Sequence, residues 1–185
     1  MKKADKGTNH LFFAYGSNMN PEQISYRCFK PEACAVARLA DYGLSFYGSS
    51  RRWDGGEATV TLQPGAEVWG VVYKLTHPDS ERLDSWQDVR LDGTGAYFHY
   101  PTEVVDAEGN SYPVLIYKRF LSGEPGNPSA EYMEAVIAGA VHHGLPAAYV
   151  EKLKGINTVS ASFPAPRIFE HEQAVTFGTI SCDCG

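Results

Sequence analysis

Leu11-Phe12-Phe13-Ala14-Tyr15-Gly16-Ser17-Asn18-Met19-Asn20-Pro21 passes from an apolar run into a turn and then into a helix start. Leu11 to Ala14 has the composition of a buried strand, and Tyr15-Gly16-Ser17-Asn18 that of a tight loop. Met19 to Cys28 follows as a short helix, with Asn20 placed to cap it and Pro21 at its first helical position. A glycine-containing loop after a buried strand can aim several backbone N–H groups into one concavity, which suits a carboxylate or another anion. An ordinary strand-to-helix turn accounts for the same residues. The string is not a phosphate loop, because no Gly-x-x-x-x-Gly-Lys-Ser/Thr follows, and Ser17 lacks the Gly-x-Ser-x-Gly frame of a nucleophile elbow.

Downstream, the middle of the chain reads as β. Tyr42 to Tyr47 is aromatic and apolar, Ala58-Thr59-Val60-Thr61-Leu62 alternates, and Gln63-Pro64-Gly65 supplies a turn. Val68 to Leu75 has the apolar density of a central strand. Tyr97 to Val105 and Tyr112 to Tyr117, separated by Asp106-Ala107-Glu108-Gly109-Asn110, form a hairpin.

Helices punctuate this sheet. Thr76 caps one through Pro78 to about Trp86, with Asp79 in its acidic first turn. Ser129 caps a second, in which Tyr132, Val136, Ile137 and Ala140 recur at helical spacing and Gly144 suits the left-handed stop. Ala147 to Leu153 makes a last short helix. With no internal repeat and no linker, the pattern is one α+β domain. Its expected limits are residues 11–156, after a disordered lead-in over 1–10. Residues 157–185 form an extension, read as loop, a terminal strand near Ala174 to Thr179 and a mobile tail.

The 185 residues are 43% hydrophobic and 21% charged, a globular profile, and the net charge of −6 comes without a basic stripe. That disfavours nucleic acid and an anionic membrane surface as partners. No apolar run approaches the roughly 20 residues that span a bilayer. The polar stretch Met1 to His10 lacks a secretory signal's apolar core. Cys28, Cys34, Cys182 and Cys184 do not form the paired knuckles of a zinc site. Reduced thiols at Cys28 and Cys34 fit a cytoplasmic address, and Cys182-x-Cys184 reads as part of the tail.

A second candidate for chemistry is Leu83-Asp84-Ser85-Trp86-Gln87-Asp88-Val89, at a helix end just after the central strand, where polar groups often face a cleft. Solvated helix-end carboxylates and a core Trp86 explain it as well. His142 and His143 point about 100° apart on a helix and cannot easily share a metal; the favourable helix C-terminus suffices to explain them. His99 reads as a strand residue, not a ligand.

Taken together, the segments resemble the γ-glutamylcyclotransferase family, with its AIG2-like fold. The pieces are Phe12 to Met19, Val36-Ala37-Arg38-Leu39, Gly55-Gly56-Glu57-Ala58-Thr59, Val68 to Leu75, Leu83-Asp84 and Pro128-Ser129-Ala130-Glu131-Tyr132. Gly139-Ala140, Gly144 to Tyr149 and Lys152-Leu153 complete the set. They occur in family order over roughly Leu11 to Ile156. The resemblance implies a small mixed β-barrel flanked by helices. It also implies a cofactor-independent reaction, without metal, in which a γ-glutamyl amine or amino acid cyclises to 5-oxoproline and releases its amine. It implies further that Tyr15, Gly16, Ser17, Asn18 and Met19 hold the glutamyl end, and that Tyr132 contacts substrate.

The family pattern Leu-Asp-x-x-Glu-Gly-Val is here Leu83-Asp84-Ser85-Trp86-Gln87-Asp88-Val89, so Gln87 stands where the family carries its proton-transferring glutamate. An amide keeps the shape and hydrogen bonds of that residue without its proton affinity. Three readings stay open: a substrate-binding site with poor turnover, Asp88 as a base shifted by one position, or a non-enzymatic protein that senses a γ-glutamyl metabolite. Arg90-Leu91-Asp92-Gly93-Thr94-Gly95-Ala96 is longer than the family's usual link and adds Arg90 and Asp92 as possible contacts to the leaving group.

Overall fold

The computed structural model describes residues 10–120 and 124–169. Five strands close into a barrel: β1 (His10–Ala14), β2 (Glu32–Tyr47), β3 (Glu57–Leu75), β4 (Tyr97–Asp106) and β5 (Ser111–Arg119). Their order around the barrel is β1-β3-β2-β4-β5. β1 runs antiparallel to β3, from His10 beside Leu75 to Ala14 beside Val71, and parallel to β5 with Phe12 beside Leu115. The barrel is therefore mixed, as the resemblance implies, and Phe13, Val60, Val68, Val72, Val104 and Ile116 fill its core.

Two long strands replace the shorter ones expected from the sequence. Gln63-Pro64-Gly65 does not reverse the chain: β3 runs on through it, and β2 begins ten residues before Tyr42, at Glu32. The turn-forming residues serve an irregularity in the ladder instead. The β2–β3 register shifts between Ala40 and Tyr42, Asp41 takes φ 61°, and its Oδ1 accepts the Gly65 N–H at 2.8 Å. Gly65 itself sits at φ 78°, where glycine is free of Cβ strain.

The helices follow their local signals closely. After a short 3-10 turn over Ser17–Met19, α1 (Pro21–Arg27) starts at Asn20, whose Oδ1 accepts the Glu22 and Gln23 N–H groups at 2.9 and 3.3 Å. α2 (His77–Trp86) is capped by Thr76 and α3 (Ala130–His142) by Ser129, whose Oγ accepts the Tyr132 N–H at 3.1 Å. Gly144 stops α3 at φ 68°, and α4 (Ala147–Lys154) follows. Asp79 is in the first turn of α2 but fully buried, where its carboxylate accepts the Phe29 N–H at 2.6 Å and the Lys30 N–H at 3.4 Å. It ties α2 to the chain leaving α1. His143 bonds through Nε2 to the Tyr73 hydroxyl at 3.0 Å, and burial, helped by His142, lowers its pKa. Packing on the barrel, more than charge at a helix end, therefore explains it. Of the expected lead-in over 1–10, His10 instead opens β1, paired with Leu75; residues 1–9, the strand near Ala174 to Thr179 and Cys182-x-Cys184 lie outside the described residues.

Candidate active site

A cavity of about 600 Å³ opens where the end of β1, the start of β3, the end of β5 and the C-terminus of α2 converge. Tyr15, Gly16, Ser17, Asn18, Gln87, Asp88 and Tyr132, separated in sequence, all line it. Met19 does not: its side chain is completely buried beneath the 3-10 turn, while its carbonyl accepts the Tyr73 hydroxyl at 3.4 Å.

The loop is fixed from below. Arg27, 2% exposed, donates to Ser17 Oγ at 3.1 Å, to Asn18 Oδ1, and to Gln23 Oε1 at 2.6 Å. With their oxygens turned to a buried guanidinium, Ser17 and Asn18 hold the backbone of the loop in shape. The Tyr15 hydroxyl donates to the Tyr117 carbonyl and so pins the end of β1 to β5. Tyr132 reaches over Gly16 from α3, held edge-on by Trp53 and Phe46 at ring-centroid distances of 5.3 and 6.4 Å. Burial pushes its phenol up to about 12, against the opposing pull of the Ser17 backbone and Arg27, so it is a neutral hydrogen-bonding group at ordinary pH.

Gln87 is the C-cap of α2, partly exposed on the cavity wall, and its backbone N–H donates to the Leu83 carbonyl at 3.0 Å. Beside it, Trp86 is buried with the Arg27 and Arg52 guanidinium carbons 4.4 and 3.9 Å from its ring centroid. Asp88 takes φ 51°; its Oδ1 accepts Arg90 Nε at 2.8 Å and its Oδ2 the Ala96 N–H at 3.3 Å. Arg90 thus lies at the mouth of the cavity. Asp92 instead folds its own turn, accepting the Thr94 N–H at 3.0 Å, and is exposed. Asp84 faces the barrel: Tyr117 Oη donates to its Oδ1 at 2.6 Å, and His99 Nε2 lies 2.6 Å from the same oxygen.

Sequence reasoning missed the charged pair in the wall. Glu57 Oε2 accepts Arg119 Nε at 2.6 Å, with the two side chains only 18% and 11% exposed, and both line the cavity. Arg119 is held further by its N–H to Thr59 Oγ1 at 3.0 Å, and Tyr97 Oη donates to the Ala58 carbonyl at 2.8 Å. The partners are 62 residues apart, and only closure of the barrel brings them together. The one available signal was an acidic residue after Gly55-Gly56, at the head of a strand of apolar and β-branched residues. Among the described residues, no group of three or more His, Cys, Asp or Glu is placed to hold a metal ion. No described helix is long and apolar enough to cross a membrane.

The AIG2-like family profile matches residues 67–153, from the later part of β3 to α4. The mouse γ-glutamylcyclotransferase is 37% identical over 155 residues, covering 82% of this chain and 80% of its own, and the human one 38% over 150 residues, covering 79% and 78%. A solved γ-glutamyl cyclotransferase structure superposes with a TM-score of 0.78 at 34% identity, over 91% of this chain and 98% of that one. The chain belongs to the γ-glutamylcyclotransferase family.

Proposed function

We propose that this protein cyclises a γ-glutamyl amine or γ-glutamyl amino acid to 5-oxoproline, releasing the amine. The observation that carries this reading is the Gly16-to-Asn18 loop, held by Arg27 at the floor of a 600 Å³ cavity with the Tyr132 hydroxyl above it. In this reading the loop takes the glutamyl end through backbone N–H groups and Tyr132 steadies it. The neutral α-amine then attacks the γ-carbonyl within the same molecule. Holding two groups of one substrate in a reactive pose can supply much of the acceleration, because an entropic cost is met on binding. Arg90 and Asp88, at the mouth, are the neighbours of the leaving amine. Two free thiols, Cys28 buried and Cys34 exposed, support a cytoplasmic setting.

Gln87 stands at the family's carboxylate position and can hold a hydrogen bond but not exchange a proton. The test is release of 5-oxoproline from a panel of γ-glutamyl amino acids and amines, with this chain and Gln87→Glu side by side. Release by this chain, faster in Gln87→Glu, is expected. Release by Gln87→Glu alone would make this chain a γ-glutamyl binder, and silence from both would overturn the reading.

A further inference from the structure

Cyclisation needs a group that moves a proton from the attacking nitrogen to the departing one, and an amide at Gln87 does not provide it. Of the described residues that line the cavity, two carry carboxylates, Glu57 and Asp88. Asp88 has both oxygens engaged, one by Arg90 and one by the Ala96 amide, and its side chain is half exposed. Its job is to hold the loop after α2. Glu57 is sunk in the wall, with Oε2 fixed by Arg119. Its Oε1 accepts no hydrogen bond among the described residues.

The topology brings this carboxylate to the substrate loop. β1 and β5 run parallel with Phe12 beside Leu115, so β1 enters the Gly16 loop at the same end of the barrel where β5 ends in Arg119. The Tyr15 hydroxyl locks the two ends together through the Tyr117 carbonyl. Arg119 in turn is tied to the head of β3 through Thr59 and Glu57. Tyr97 completes the cluster: burial, and then the negative charge of Glu57, hold its phenol well above the ordinary value. A carboxylate, two neutral phenols and the loop thus surround one volume.

Resting on the cyclisation reading above, we propose that Glu57 is the general acid/base of this site, standing in for the carboxylate absent at Gln87, with Arg119 as its positioning residue. Glu57 Oε1 takes a proton from the neutral α-amine as that nitrogen bonds to the γ-carbonyl carbon. It returns the proton to the leaving nitrogen as the old C–N bond breaks. The carboxylate is regenerated, and the products are 5-oxoproline and the amine, with no further reactant consumed.

The experiment is steady-state 5-oxoproline release by this chain, Glu57→Gln and Gln87→Glu, with calorimetric titration of 5-oxoproline into each. Glu57→Gln should lower kcat at least about 100-fold, change KM little, abolish the acidic limb of the pH–rate profile and keep 5-oxoproline binding. Two outcomes would overturn the role of Glu57 while leaving cyclisation standing. One is near-normal kcat in Glu57→Gln. Another is loss of 5-oxoproline binding together with kcat, which marks a scaffold. Turnover only in Gln87→Glu overturns the role of Glu57 and leaves this chain a γ-glutamyl binder. No release by this chain or by Gln87→Glu removes the cyclisation reading itself, and the role of Glu57 with it.

Discussion

The Tyr132 hydroxyl fills the space that a Cβ on residue 16 would occupy. Gly16 has φ −122°, outside the left-handed region, so contact with Tyr132 rather than a positive φ demands glycine there. Gly16→Ala should therefore push Tyr132 off the loop and raise KM for γ-glutamyl substrates by about tenfold or more, since small misplacements in a site are expensive. The offending atom is a single oxygen, so adding Tyr132→Phe should recover part of the loss. Steady-state kinetics of the two single variants and the double variant give the check.

A second glycine is required for packing alone. A Cβ on Gly139 would stand 2.5 Å from the Asn20 nitrogen and 2.6 Å from the Met19 carbonyl carbon, both backbone atoms that cannot swing aside. Gly139→Ala should destabilise the fold by about 1–3 kcal/mol despite the better helix propensity of alanine. Urea denaturation should show a lower midpoint with an unchanged slope.

Arg27 connects the loop to the rest of the molecule. Arg27→Met preserves much of the buried volume but leaves Ser17 Oγ, Asn18 Oδ1 and Gln23 Oε1 without this donor. A loss of about 3 kcal/mol in stability is expected from charge-assisted bonds of this kind, together with a raised KM. A variant with normal stability and normal KM would mean that the loop keeps its shape unaided.

The hydrogen bond to Asp84 raises the pKa of His99 above 6.5, with burial opposing it. A group whose folded value is raised lends stability that is complete below its unfolded value and fades as pH climbs through the folded one. The stability gap between this chain and His99→Gln should be widest below the unfolded value and narrow as pH climbs through the raised folded one. The His99 side chain is 40% exposed, so added salt should shrink the gap as well. Denaturant titrations at several pH values and two salt concentrations measure both effects.

What the sequence made legible was local chemistry. Asn20-Pro21, Thr76 and Ser129 start helices at the residues expected, and Gly144 stops one, because caps are settled by neighbours a few positions away. The loop from Tyr15 to Asn18, the Gln87-Asp88 helix end and Tyr132 also meet in one cavity. Gln63-Pro64-Gly65 misled because its residues favour a turn wherever they stand; Asp41, on another strand, decides that they bend a ladder instead. The resemblance groups Met19 with the glutamyl-holding loop, yet its side chain turns into the core. Glu57 and Arg119 were illegible as a pair because their meeting is a property of the closed barrel, with no spacing that announces it.

The irregularity at Asp41 and Gly65 divides β3 into two lengths under different demands. Val68 to Leu75 pairs with both β1 and β2 as a stave of the barrel, while Glu57 to Leu62 pairs with β2 and is tied by side-chain bonds to β4 and β5 beside the cavity. A bend between them lets the second length take its own tilt without disturbing the register of the first. The joint at Asp41 and Gly65 is thus where the cavity wall parts company mechanically from the barrel: a change in the angle of one length is taken up there before it reaches the other.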